Sequence, residues 1–202
     1  MFRSFFPDEY LDSAYVIDYE KLYREGYRGL LFDIDNTIVP HGAPADERAK
    51  KLFQRLRKIG FHYCFVSNNK KPRVEPFARA VEGDFVENAH KPAVKNYRKA
   101  CQMIGTDPDR TIFVGDQLFT DIYGAKRAGI RTILVKPSVS LFIKLLKIDH
   151  ICRIQIFIWK KTSEHPLHLS FLSSFRNNAS FFIVLQEERT SLPEEHSCMQ
   201  DG

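Results

Sequence analysis

Long apolar runs, paired cysteines and nucleotide-cradling glycine loops are all missing from this 202-residue chain. No stretch of transmembrane length is free of charges. The opening Met1-Phe2-Arg3-Ser4-Phe5-Phe6-Pro7-Asp8-Glu9 is too interrupted for a signal peptide. The four cysteines, Cys64, Cys101, Cys152 and Cys198, lie far apart without metal-ligand spacing, and read as reduced thiols. A cytoplasmic protein is the expectation. Neither Gly-x-x-x-x-Gly-Lys-Ser/Thr nor Gly-x-Gly-x-x-Gly occurs, which excludes the common nucleotide-binding loops. Strong charge of one sign is also lacking: the formal excess of +5 permits an anionic substrate, a lipid surface or nucleic acid without selecting one. No internal repeat is present.

Glycine becomes scarce part-way along the chain, and that draws a boundary. Residues 1–137 hold nine of the 10 glycines, with 23 Lys+Arg against 18 Asp+Glu. Residues 138–202 hold only Gly202, with seven basic and seven acidic residues, while serine rises from three to nine. The basic excess and nearly all turn signals therefore belong to the first part. Within the second, Leu141 to Lys147 reads as a basic amphipathic helix, Ile154 to Trp159 as a strand and Phe181 to Leu185 as another apolar run. Three readings of residues 138–202 stand side by side: an accessory element on a sheet edge, a membrane-surface anchor, or a frame-altered tail with no selected fold.

What is present in the first part is alternation. Apolar runs at Gly29–Phe32, His62–Ser67, Asp84–Glu87, Thr111–Gly115 and Arg131–Val135 read as strands. Helices are expected over 18–25, 45–59, 72–81, 92–104 and 121–128, with Asp46 as an N-cap and Gly60 as a stop. Strands alternating with helices of this length imply an α/β fold, a mainly parallel sheet covered on both faces. Ligands of such folds bind beyond the carboxyl ends of the strands. There the sequence places Asp33 and Asp35, Ser67 and Asn68, Lys91 and Asp116.

The stretch Leu30-Leu31-Phe32-Asp33-Ile34-Asp35-Asn36-Thr37 carries the chemistry. On an extended strand Asp33 and Asp35 point to the same side. Two carboxylates so close need a shared proton or a divalent cation. Asp33 is then a nucleophile able to accept a phosphoryl group. Asp35 is placed to protonate the leaving oxygen and later activate water. Asp33, Asp35 and Asp116 are candidate ligands for Mg2+, which suits carboxylates and phosphate oxygens. Ser67 and Asn68 are candidates to hold the phosphate, and Lys91 to neutralise its developing charge. Thr37 is expected to fix the loop after the strand by a local hydrogen bond. Bland readings exist for each: Ser67-Asn68-Asn69 taken alone is a turn cluster. Lys70, Lys71 and Arg73 form either a solvated loop or a lure for anions. His41 and His90 near the rim read as incidental.

Asp33-Ile34-Asp35-Asn36-Thr37, Val66-Ser67-Asn68-Asn69, His90-Lys91-Pro92 and Gly115-Asp116-Gln117-Leu118-Phe119-Thr120-Asp121 resemble, in order and spacing, the four motifs of the haloacid dehalogenase (HAD) superfamily. The likeness covers about residues 5–137 and points to subfamily IIIA phosphatases of the YqeG type, grouped with phosphatidylglycerophosphate phosphatases. It implies a HAD-like Rossmannoid three-layer sandwich and a Mg2+-dependent phosphomonoester hydrolase working through an aspartyl-phosphate. It also implies Asp33 as nucleophile, Asp35 as acid/base, Ser67 and Lys91 as phosphate binders, Asp116 as metal ligand, and Asp121 supporting the metal or holding Lys91. Only Ile38 to Ala45 separate Thr37 from the next helix, so no cap domain is expected and the site should be open. The expected partner is a phosphorylated small molecule or a lipid head group, with peripheral contact at the inner face of a membrane, and no nucleic acid. The alternative is a binding or scaffold module of the same fold with little turnover.

Overall fold

Four consecutive buried residues, Gly29–Phe32, form a strand because both of its faces are covered. The computed structural model describes residues 2–138; the runs 141–147, 154–159 and 181–185, with Cys152 and Cys198, lie outside the described residues. The strands are β1 (Glu9–Leu11), β2 (Gly29–Phe32), β3 (His62–Val66), β4 (Asp84–Val86), β5 (Thr111–Gly115) and β6 (Arg131–Val135). They make one sheet in the order β1-β6-β5-β2-β3-β4, every pairing parallel. The helices are α1 (Tyr19–Arg24), α2 (Glu47–Ile59), α3 (Lys71–Ala80), α4 (Val94–Met103) and α5 (Tyr123–Arg127).

Alternation along the strands divides the core in two. Leu30, Phe32, Tyr63, Phe65, Ile112, Val114, Ile133 and Val135 pack with residues of α1, α2 and α3. Leu31, Cys64, Val66 and Phe113 pack with Tyr97, Ala100 and Cys101 of α4 and Ala125 of α5. The result is a three-layer α/β sandwich. Phe53 of α2 meets Phe32 and Phe65 edge to face at 5.3 and 5.1 Å, and Phe77 of α3 meets Phe65 at 5.2 Å. Each such ring contributes about 1.5–3 kcal/mol by burial. Helix α2 starts where expected, the Asp46 carboxylate accepting the Ala49 amide at 2.7 Å, and stops at Gly60 with φ +106°.

Three features differ from the sequence expectation. The first is β1, an edge strand of three half-buried residues that carries no apolar run to announce it. It is held by tertiary contacts: Asp8 accepts the Thr132 amide at 2.8 Å, and Arg131 pairs with Glu9. The second is the start of the last helix. A wide helical turn over Leu118–Ile122 precedes α5, and wide turns of this kind concentrate at functional sites. The third is that β2 stops at Phe32 rather than running through the aspartates. The Ile34 carbonyl accepts the amides of Thr37, Ile38 and Val39, and Asn36 is left-handed at φ +65°. Asp33 and Asp35 therefore stand on a tight turn just past the strand.

The register brings the strand ends level. Phe32 pairs with Phe65 on one side and Val114 on the other, so Asp33, Val66 and Gly115 follow together. From β2 the chain steps outward to β3 and β4, then returns across β2 to β5 and β6. The crevice at such a reversal is where α/β folds bind ligands. Only residues 33–46 join β2 to α2, and residues 67–70 join β3 to α3, so neither connection holds a cap domain.

Candidate active site

At this rim a buried lysine is shared between two aspartates. Lys91 Nζ donates to Asp33 Oδ1 at 2.6 Å and to Asp121 Oδ1 at 2.7 Å, with 3% of the lysine side chain exposed. Two local devices fix it. The Asn68 side chain grips the Lys91 backbone, Oδ1 accepting its amide at 2.7 Å and Nδ2 donating to its carbonyl at 3.3 Å. Asp121 is fixed in turn by the Gln117 amide, which donates to Oδ2 at 3.0 Å. Gly115 makes that approach feasible: a Cβ there would lie 2.6 Å from the Asp121 carboxyl carbon.

Asp33, Asp116 and Asp121 each offer an oxygen within 4.8 Å of the others, and all three are buried. Three carboxylates against one ammonium leave negative charge in excess. Burial pushes the Asp33 carboxyl up to about 7, Lys91 opposing the rise and Asp121 and Asp116 adding to it. Burial pulls the Lys91 ammonium down, but Asp121 and Asp33 outweigh it and hold the group above its ordinary range. Hard oxygen donors with uncompensated charge fit a divalent cation such as Mg2+.

Asp35 has a different setting. Its Oδ1 accepts the Gly42 amide at 2.8 Å and Arg73 Nη2 at 2.7 Å; its Oδ2 accepts Asn69 Nδ2 at 2.6 Å. His41 Nδ1 stands 3.8 Å from Oδ2. The Asp35 carboxylate is thus engaged here and is not one of the three clustered acids. Ser67, buried at the end of β3, accepts the Asn69 amide on Oγ at 3.1 Å. Thr37 Oγ1 reaches Asp33 Oδ2 at 3.5 Å, and its amide closes the turn on Ile34.

Asp33, Lys91, Asp116 and Asp121 are therefore brought together, with Thr37 against Asp33. Asn68, expected at the phosphate, is occupied with the Lys91 main chain. The partners of Asp35 were missed by sequence reasoning. Arg73 gave a signal only as part of a basic run, and Gly42 gave none.

Residues 88–141 match the model of the HAD-hydrolase-like family. Over 142 residues the chain is 34% identical to the probable phosphatase YqeG of Bacillus subtilis, covering 69% of this chain and 83% of that one. The chain belongs to the HAD-like hydrolases. Other relatives match over shorter shares. Glyceraldehyde 3-phosphate phosphatase of Pyrococcus abyssi is 32% identical over 97 residues, 44% of this chain and 41% of that one. Phosphatidylglycerophosphate phosphatase 1 of Arabidopsis thaliana, described as chloroplastic/mitochondrial, is 28% identical over 131 residues, 60% of this chain and 38% of that one. The chain spans about four tenths of the length of these two. Its relatives mark it as a phosphatase. Among the described residues no helix is long and apolar enough to cross a membrane.

Proposed function

We propose that this HAD-type phosphatase, a subfamily IIIA enzyme with its catalytic unit in residues 1–137, hydrolyses a phosphomonoester through an aspartyl-phosphate on Asp33. The observation that carries the reading is the shared lysine: a buried ammonium between Asp33 and Asp121 beside a third carboxylate, Asp116. That arrangement suits a site that receives a dianionic phosphate next to a cation. Asp33 and Asp116 are the residues that would hold Mg2+, and Asp121 keeps Lys91 in place. When bound, magnesium would supply a hard positive charge that offsets carboxylate repulsion and polarises the phosphate oxygens.

The residues then act in order. Ser67, its oxygen fixed by the Asn69 amide, donates its hydroxyl proton to a phosphate oxygen. Lys91 faces the charge gathering on the transferred group. An Asp33 oxygen attacks phosphorus, the bond to the leaving oxygen breaks, and Asp35 gives that oxygen a proton. Oδ2 is the Asp35 oxygen with room for that proton, because Oδ1 already accepts two hydrogen bonds. Water next attacks phosphorus, Asp35 takes its proton, and Asp33 is released with inorganic phosphate.

The short connections at 33–46 and 67–70, which hold no cap, and the Arabidopsis relative support a lipid head group, phosphatidylglycerophosphate, as substrate. Such a substrate would be met at a membrane surface, from the cytoplasmic side. Phosphate release from 4-nitrophenyl phosphate should require magnesium and fall about a thousandfold or more in Asp33→Asn. Full activity in that variant overturns the mechanism. Vesicles carrying phosphatidylglycerophosphate test the substrate: turnover no better than with a soluble alkyl phosphate discards the lipid assignment.

A further inference from the structure

Asp35 stands on a turn, so neither strand nor helix fixes its side chain. Its orientation comes from three donors on three segments: the Gly42 amide on the 40–44 loop, Asn69 after β3, and Arg73 in the first turn of α3. Asn69 is itself tied to Ser67. Gly42, by contrast, is exposed, on a short loop between Pro40 and Pro44. Arg73 reaches both ends of that weak link, its Nη2 donating to Asp35 Oδ1 at 2.7 Å and to the Ala43 carbonyl at 2.9 Å. The guanidinium lies 5.8 Å from the Phe77 ring centroid, and its side chain is 22% exposed. Its Nε is buried without a hydrogen-bond partner, so the bonds to Asp35 and Ala43 set its direction.

We propose that Arg73 is a positioning residue for the proton donor: it aims the Asp35 carboxyl and pins the 40–44 loop beside it, without touching the transferred phosphate. The proposal rests on Asp35 protonating the leaving oxygen. With Arg73 in place, Oδ1 takes two donors and Oδ2 one, Asn69, which leaves Oδ2 as the oxygen to face the departing group. Without it, the carboxyl keeps two of its three donors, and the loop that carries one of them, Gly42, loses its tie to α3. The loss matters only where the leaving group needs a proton.

The test compares phenyl phosphate, whose leaving group needs protonation, with 4-nitrophenyl phosphate, whose leaving group departs readily as an anion. The quantity is kcat/KM of the full chain with magnesium, which reports the steps up to loss of the leaving group. Arg73→Ala should lower kcat/KM for phenyl phosphate about 10- to 100-fold and that for 4-nitrophenyl phosphate by about threefold or less. Arg73→Lys, which keeps a donor for Asp35, should recover most of the phenyl phosphate rate. Asp35→Asn is the reference and should show the same selective loss, with no further loss when combined with Arg73→Ala. Equal losses on both substrates in Arg73→Ala, or a raised KM with unchanged kcat, overturn the proposal. The first outcome marks a structural role, the second a substrate-anion contact at the vacant Nε. If Asp35→Asn is selective and Arg73→Ala is not, this proposal alone fails. If Asp35→Asn is not selective, the assignment of Asp35 fails first.

Discussion

Asp33 and Asp35 are two residues apart, and each is 7% exposed, yet they occupy opposite electrostatic settings. Around Asp33 two carboxylates, Asp33 and Asp121, share one ammonium, with a third, Asp116, beside them. Around Asp35 one carboxylate is shared by an arginine, an asparagine and a backbone amide. Burial alone therefore does not set a role; the ratio of donors to carboxylates does. The Asp33 side carries excess negative charge and suits a cation, whereas the Asp35 side is already compensated and holds its carboxylate in a fixed direction, as the proposed proton carrier requires.

Removing Lys91 should break the comparison most severely. Lys91→Met leaves Asp33, Asp116 and Asp121 with no cation, and should lower the stability of the magnesium-free protein by about 3–5 kcal/mol. Urea unfolding at pH 8 measures the loss, and saturating magnesium should recover part of it. An unchanged midpoint would mean that the three carboxylates do not repel as their spacing requires.

A second prediction has the opposite sign. The Asp33 carboxyl is raised from 3.8 to about 7, so the folded state binds its proton more tightly than the unfolded chain does. The stabilisation is complete below about pH 4 and is lost as pH rises through about 7, above which the ionised group weighs against the fold. In the absence of magnesium, Asp33→Asn should therefore be more stable than the parent at pH 8, by on the order of 2–4 kcal/mol, with the difference shrinking toward pH 4. Adding magnesium should favour the parent, because the variant has lost a ligand. Denaturant curves at the two pH values, with and without the ion, give all four numbers.

The smallest effect sharpens the picture on the Asn68 side. Asn68→Ala leaves a Lys91 amide and carbonyl without their side-chain partner and should cost about 1–2 kcal/mol. Turnover should drop while KM for phosphate esters holds, since the residue steadies Lys91 from behind. A raised KM alone would return Asn68 to the phosphate.

The sheet strands flanking the site were legible because parallel strands covered on both faces read as unbroken apolar runs, as Leu30-Leu31-Phe32 and Ile112-Phe113-Val114 do. Caps gave α2 its limits through Asp46 and Gly60. Asp33 and Asp116 were legible because each directly follows such a run, whereas Asp121, on the turn beyond, was marked only by its motif. Edge strand β1 was not, since Glu9-Tyr10-Leu11 is fixed by contacts with residues more than a hundred positions away. Nor was the turn after Phe32, which depends on the Ile34 carbonyl gathering three amides. The partners of Asp35 were hidden for the same reason. Gly42, Asn69 and Arg73 come from different segments, and only the fold makes them neighbours.

Strand β6 lies between β5 and β1, and Asp8 meets Thr132 across 124 residues of sequence. Just beyond it the Lys136 amide donates to the Leu11 carbonyl at 3.1 Å, and the Ser138 amide donates to the carbonyl of Asn36, in the turn after β2, at 2.9 Å. During synthesis the first strand therefore leaves the ribosome long before β6, the strand it pairs with among the described residues, exists. A nascent chain that already carries all four motifs still has β5 as an open edge and β1 unattached. The rim is completed by a segment made after all four motifs, so competence should arrive in one step, when residues 131–138 have emerged.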